Sequence, residues 1–206
     1  MKYLSGFNTF VNESSRLRQL GLVRLSKKQE EFLDEYIDGS WEFDTDTGLV
    51  NIDGNFFGGS TYLTDFKGIR FGRVKGDFWC GTNRLTSLEG APQQVDGYFD
   101  CGRNGLTSLE GAPQEVGGNF YCNGNLLTNL EGAPQWIEGK FDCRSNRLTS
   151  LLGAPQQVGG MFDCDNNPDL ESLASLPKLY DIDIPSHLIR RLAEMRAEAK
   201  KIKSEE

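Results

Sequence analysis

Phe99-Asp100-Cys101-Gly102-Arg103-Asn104-Gly105-Leu106-Thr107-Ser108-Leu109-Glu110-Gly111-Ala112-Pro113-Gln114-Glu115-Val116-Gly117-Gly118-Asn119 is one full period of the chain, and Phe120 begins the next. Cys80, Cys101, Cys122, Cys143 and Cys164 mark the same point of successive periods, each 21 residues after the last. A fixed period of this length is the mark of a solenoid. Each repeat is one coil that cannot bury its apolar side alone, so neighbouring coils bury each other. The period sets the architecture and points to binding as the kind of work done, without naming what is bound.

Within the coil, Phe99 and Cys101 alternate with Asp100, which reads as a short strand with two inward side chains. Asn104 recurs as Asn83, Asn125, Asn146 and Asn167. An asparagine buried where the chain turns out of a strand can bond main-chain groups of its own coil and the next. Leu106 and Leu109 point inward after the turn, with counterparts at Leu85, Leu88, Leu127, Leu130, Leu148 and Leu151. Gly111-Ala112-Pro113 carries the chain back in an extended return, since proline fixes φ and lacks a donor. Val116 and Gly117 lead into the next strand.

Outward from the array, residues 1–25 form an N-terminal segment in which Phe7, Phe10 and Val11 lie on one face of a short helix. Ser26-Lys27-Lys28-Gln29 is a capping-box pattern that opens a helix with Phe32, Leu33, Tyr36 and Ile37 on its apolar face, ended by Asp38-Gly39. Trp41 and Phe43 alternate with polar residues, Asp44 to Gly48 reads as a turn, and Leu49 to Ile52 as a return strand. Residues 26–51 therefore form a cap of helix plus hairpin over the open solenoid end, whose core slice and strand edge must be covered. The solenoid occupies 52–184: a degenerate first coil of 22 residues, regular coils from Phe78, Phe99, Phe120 and Phe141, a sixth from Phe162, and a last strand near Leu179–Ile184. Residues 185–206 form a helix whose stripe of Leu188, Leu192, Met195, Ala199 and Ile202 either caps the last coil or serves self-association and docking. The chain is otherwise expected to be a monomer.

Composition narrows the functions. A hydrophobic share of 37% across 206 residues suits a narrow core column better than a globule. A net charge of −8 argues against nucleic acid and anionic membranes, which need basic surface. No apolar run is long enough for a membrane helix. Five cysteines in register read as small buried apolar groups, not as a disulfide framework, and no secretory signal is read ahead of them, so a cytoplasmic location is expected. The single histidine, His187, lies outside the array and has no nucleophile or zinc-ligand spacing around it. The glycine pairs are repeat turns and not nucleotide loops. The expectation is a non-enzymatic protein with no catalytic residue, no cofactor and no metal.

The coil resembles the leucine-rich repeat pattern L-x-x-L-x-L-x-x-N-x-L, with Phe and Cys at the second and third leucine places. It departs at the first, where Val95 and Val116 stand one residue early. The short period and the Leu-x-x-Leu…Pro order look most like the leucine-rich repeats of bacterial effector proteins. Leu-Thr-Ser-Leu-Glu-Gly-Ala-Pro-Gln with Phe-Asp-Cys is closer still to repeat proteins of large tailed bacteriophages. The resemblance implies an α/β solenoid, mostly β: a right-handed stack of coils with a parallel sheet on one face and helices capping both ends. It implies protein recognition, with a host protein as target and the host cytoplasm as location. Val11-Asn12-Glu13-Ser14 also resembles the cleaved packaging leaders of phage internal head proteins, which implies a virion-internal or structural protein as the alternative.

In this repeat class the residues between and beside the inward pair face outward. The scaffold letters repeat from coil to coil, while these positions vary. They begin aromatic and end acidic, and exposed aromatics on a rigid strand make good anchors. The expected partner-binding residues on this face are Phe57, Trp79, Tyr98, Asp100, Arg103, Tyr121, Asp142, Arg144 and Asp163. The competing reading packs Phe57 and Trp79 under the N-terminal cap and leaves the aspartates as a solvated surface.

Overall fold

A computed structural model describes residues 24–170 and 182–183. The expected leader around Val11–Ser14 and the C-terminal helix of 185–206 lie outside the described residues. Ser26 opens α1 (Lys27–Tyr36) through the expected capping box: the Ser26 N–H donates to Gln29 Oε1 at 2.9 Å, and the Gln29 N–H donates to Ser26 Oγ at 3.4 Å. The helix stops two residues earlier than the Asp38-Gly39 signal, because Ile37 already begins a strand. Its buried Phe32 and Leu33 face the solenoid end, and the rings of Phe32 and Tyr36 stand 6.0 and 5.9 Å from Phe56, the first ring of the core column.

β1 (Ile37–Asp44) and β2 (Leu49–Phe57) form the expected hairpin, paired antiparallel along their length. β2 belongs to the hairpin and to the first coil at once. Its first half pairs in parallel with β3 (Phe71–Val74) and its second half with β4 (Phe78–Trp79). From β2 two parallel ladders run down the molecule. One continues through β4, β6 (Phe99–Asp100), β8 (Phe120–Tyr121), β10 (Phe141–Asp142), β12 (Phe162–Asp163) and β13 (Ile182–Asp183). The other continues through β3, β5 (Gln94–Val95), β7 (Glu115–Val116), β9 (Trp136–Ile137) and β11 (Gln157–Val158). β1 covers the free edge of β2 beside both ladders.

The second ladder was not expected. Val95 and Val116, which sit one residue early for a leucine-rich repeat, belong to strands of their own and not to the lead-in of the Phe strand. Between the two strands the chain bends at Gly97. Asp96 N–H and Gly97 N–H both donate to the preceding coil, to the Val74 and Gly76 carbonyls at 2.9 and 3.0 Å. A Cβ on Gly97, Gly118 or Gly139 would lie within 2.8 Å of backbone atoms of the coil before, so this corner column must be glycine.

The interior follows the repeat. Phe56, Phe78, Phe99, Phe120, Phe141 and Phe162 form one column with centroid spacings of 4.4, 5.6, 5.3, 5.5 and 5.1 Å. Burying each such ring stabilises by about 1.5–3 kcal/mol. The recurrent asparagines form the expected ladder, although they reach the preceding coil and not the following one. Asn125 accepts from Asn104 N–H and Leu106 N–H at 3.2 and 3.1 Å, and donates to the Cys101 and Cys122 carbonyls at 3.1 and 3.0 Å.

None of the five cysteines forms a disulfide among the described residues, all are fully buried, and burial pushes the thiols of Cys80, Cys101, Cys122 and Cys143 well above the ordinary value. Reaction needs the exposed thiolate. A thiol reagent such as dithionitrobenzoate is therefore expected to find no reactive cysteine in the folded chain and five after denaturation. Rapid modification of any of the five under native conditions would contradict the ladder.

Candidate functional site

The outward positions of the Phe ladder divide into two neighbourhoods. In the first, Trp79, Tyr98, Asp100, Arg103 and Tyr121 line one hollow of about 460 Å³, joined by Thr82, Gly102 and Asn123. Five of the nine expected residues meet here. Trp79 is half-buried because its indole lies across Gly59, where a Cβ would collide with the ring. Tyr98 and Tyr121 meet edge to face at 6.4 Å, and the Tyr121 hydroxyl accepts from Asn119 Nδ2 at 2.9 Å. The rings are thus held in place before any ligand arrives, which lowers the entropic cost of binding. Phe57 lies one coil before Trp79 in the same ladder and is 42% exposed, so it does not pack under the cap.

Asp100 Oδ1 accepts from Gly102 N–H at 2.8 Å, closing a tight Asx turn. Among the described residues Asp100 forms no ion pair. Burial pushes its carboxyl above the usual carboxylate range, with the Gly102 N–H pulling the other way and Asp142 adding to the rise. The Tyr98 phenol is raised as well, first by burial and then by the charges of Asp77 and Asp100. Arg103 is exposed on a left-handed backbone at φ 53°, a place that Thr82, Ser145 and Asn166 also hold in their coils.

The second neighbourhood corrects the sequence reading. Asp142 and Asp163 were expected on the exposed face, but they are buried, at 2% and 5% exposure. Arg144 pairs with Asp142 at 2.8 Å and with Asp163 at 3.1 Å, and Lys140 reaches both at 3.1 Å. Two acids stacked in one column repel unless cations lie between them, and this chain supplies two. Burial alone would raise the Asp142 carboxyl, but the bonds from Arg144 and Lys140 hold it below the usual range. Burial would also lower the Lys140 ammonium, and its bonds to Asp142 and Asp163 raise it instead. These residues are a structural clamp.

The column just before the phenylalanines is also partly scaffold. Oδ1 of Asn55, Asp77 and Asn119 accepts the N–H of Asp77, Tyr98 and Lys140 at 2.8, 2.9 and 2.7 Å. These bonds satisfy the donor left over at the corner.

Sequence reasoning missed a further surface. On the Val ladder, Arg73, Gln94, Asp96, Glu115, Trp136 and Glu138 line a hollow of about 550 Å³, with Trp136 50% exposed. Arg73 forks onto Asp96 through Nε and Nη2, the shortest contact being 2.8 Å. The signal was available: Arg73, Gln94, Glu115, Trp136 and Gln157 vary beside an unchanging apolar position. Among the described residues no cluster of acid, cysteine or histidine side chains could hold a metal, and no helix is long and apolar enough to cross a membrane.

Fold and face together define a parallel β-solenoid repeat protein of about five coils, with one helix among the described residues. No protein-family model, no curated protein and no solved structure matches the chain.

Proposed function

We propose that this solenoid is a non-enzymatic protein-interaction module that binds its partner through the aromatic hollow of the Phe ladder. One observation carries the reading. Trp79, Tyr98 and Tyr121 stand in columns where several other coils place aspartate, asparagine or lysine side chains that bond one coil to the next, and these three rings instead converge on one preformed hollow. Preordered aromatic anchors in a concave site are the usual carriers of binding energy at protein interfaces. The Leu-x-x-Leu and asparagine positions support a leucine-rich-repeat-like use of the strand face. The resemblance to phage repeat proteins supports a bacterial host protein as the partner. Replacing Trp79, Tyr98 and Tyr121 together by alanine is expected to leave a folded chain and to lower partner capture at least about tenfold, each anchor being worth on the order of 1–2 kcal/mol. Pull-down with mass spectrometry reads the outcome, and retained capture would remove this face from consideration.

A further inference from the structure

The same column of the Phe ladder shows how this chain treats a carboxylate that it intends to neutralise. Where Asp142 and Asp163 stack, Lys140 and Arg144 lie within 3.1 Å of them. At Asp100, one coil before Tyr121 and two before Asp142, no ion pair forms among the described residues. Asp100 is half-buried, and among the described residues its carboxylate accepts one hydrogen bond, from the Gly102 N–H. It shares the hollow with three rings, Trp79, Tyr98 and Tyr121, and with Arg103 at the rim. Aromatic faces attract cations through their quadrupole, and a desolvated carboxylate beside them adds a full charge of the matching sign. Arg103 lines the rim of the hollow and is exposed; its charge pulls the Asp100 carboxyl down against the rise from burial, but among the described residues the two form no ion pair. A net charge of −8 favours the approach of a positively charged partner.

We infer that the hollow receives a cationic side chain, lysine or arginine, of the partner protein, with Asp100 as its counter-ion and Trp79, Tyr98 and Tyr121 as its aromatic walls. This rests on the interaction-module reading above and adds the chemistry that the partner must present. A 460 Å³ hollow has room for an alkyl stem with its charged head.

The test uses the full chain and three fluorescein-labelled decapeptides, alternating glycine with lysine, arginine or glutamine, followed by fluorescence anisotropy at low salt. The lysine or arginine peptide is expected to bind and the glutamine peptide not to. Asp100→Asn keeps the acceptor for Gly102 and should weaken cationic binding at least about tenfold. Glu110→Gln removes the same charge from an exposed turn and should leave binding within about twofold, since a distant exposed charge is screened. Arg103→Ala removes a like charge from the rim and should tighten binding. Equal losses in the Asp100 and Glu110 variants, equal binding of the glutamine peptide, no binding of either cationic peptide, or weaker binding in the Arg103 variant would each overturn the inference. The two readings separate cleanly. If the triple-alanine chain loses its cellular partner while Asp100→Asn keeps it in full, the module stands and the cation pocket falls. If the triple-alanine chain keeps its partner, both fall.

Discussion

Replacing Asn125 by leucine is expected to destabilise the solenoid by about 4 kcal/mol, because one buried and one part-buried donor lose the acceptor they have among the described residues. Asn104 N–H and Leu106 N–H both end on Asn125 Oδ1, at 3.2 and 3.1 Å. The carbonyls on the donating side suffer less. Cys101 O keeps the Asn104 amide at 3.0 Å, and Cys122 O keeps the Asn146 amide at 3.1 Å. The cost therefore falls on the N–H groups, at about 1–3 kcal/mol each, and leucine cannot recover it by packing. Because coils contact only their neighbours, a defect in the middle of the array should also split the urea transition, with the two halves unfolding at different concentrations. Circular dichroism in urea reads both effects. A midpoint within error of wild type would show that the asparagine ladder is incidental.

The second large effect comes from the clamp. Changing Lys140 and Arg144 together to methionine leaves Asp142 and Asp163 buried without cations, and is expected to cost about 3–5 kcal/mol at pH 7. Adding Asp142→Asn and Asp163→Asn should restore most of it, since the cost arises from uncompensated charge and not from lost packing. The pH dependence has opposite signs in the two chains. In wild type the Asp142 carboxyl is held below the usual range, so its contribution is present above about pH 4 and is lost as pH falls through the depressed folded value. In the methionine variant the buried acids have no cation, their carboxyls rise, and the chain becomes more stable as pH falls from 7 toward 5. Urea titrations at several pH values check the sign. A variant whose stability falls in step with wild type on acidification would show that these carboxylates are hydrated and not clamped.

The parts readable from sequence are those that recur. Phe99, Cys101, Asn104, Leu106 and Leu109 repeat at a fixed interval because each stacks on its own copy; the four apolar side chains point inward as read from the period, while Asn104 bonds the coil before it and not the next. The Val ladder escaped notice because a coil shows one recurrent apolar letter there, Val95 or Val116, where the Phe strand shows two in alternation, Phe99 and Cys101, and a bend at Gly97 separates the two strands. The burial of Asp142 and Asp163 was hidden for a different reason. Lys140 and Asp163 are 23 residues apart in the chain and meet only once the coils are stacked. A charge column looks solvated in sequence, and only the register shows that two neighbouring cations close over it. Phe57, Trp79, Tyr98, Asp100, Arg103 and Tyr121 stay on the accessible face, whereas Asp142 and Asp163 are buried and hold the stack together with Lys140 and the still exposed Arg144.

That division between letters that stack coils and letters free to bind is tested most directly by melting and partner capture measured side by side on the Trp79→Ala, Tyr98→Ala, Tyr121→Ala chain. The rings lie outside the core column, so the midpoint should move far less than for Asn125→Leu, by the equivalent of about 1–2 kcal/mol, while capture falls at least about tenfold. A chain that unfolds with these changes, or one that melts normally and still takes up its partner in full, would contradict the account.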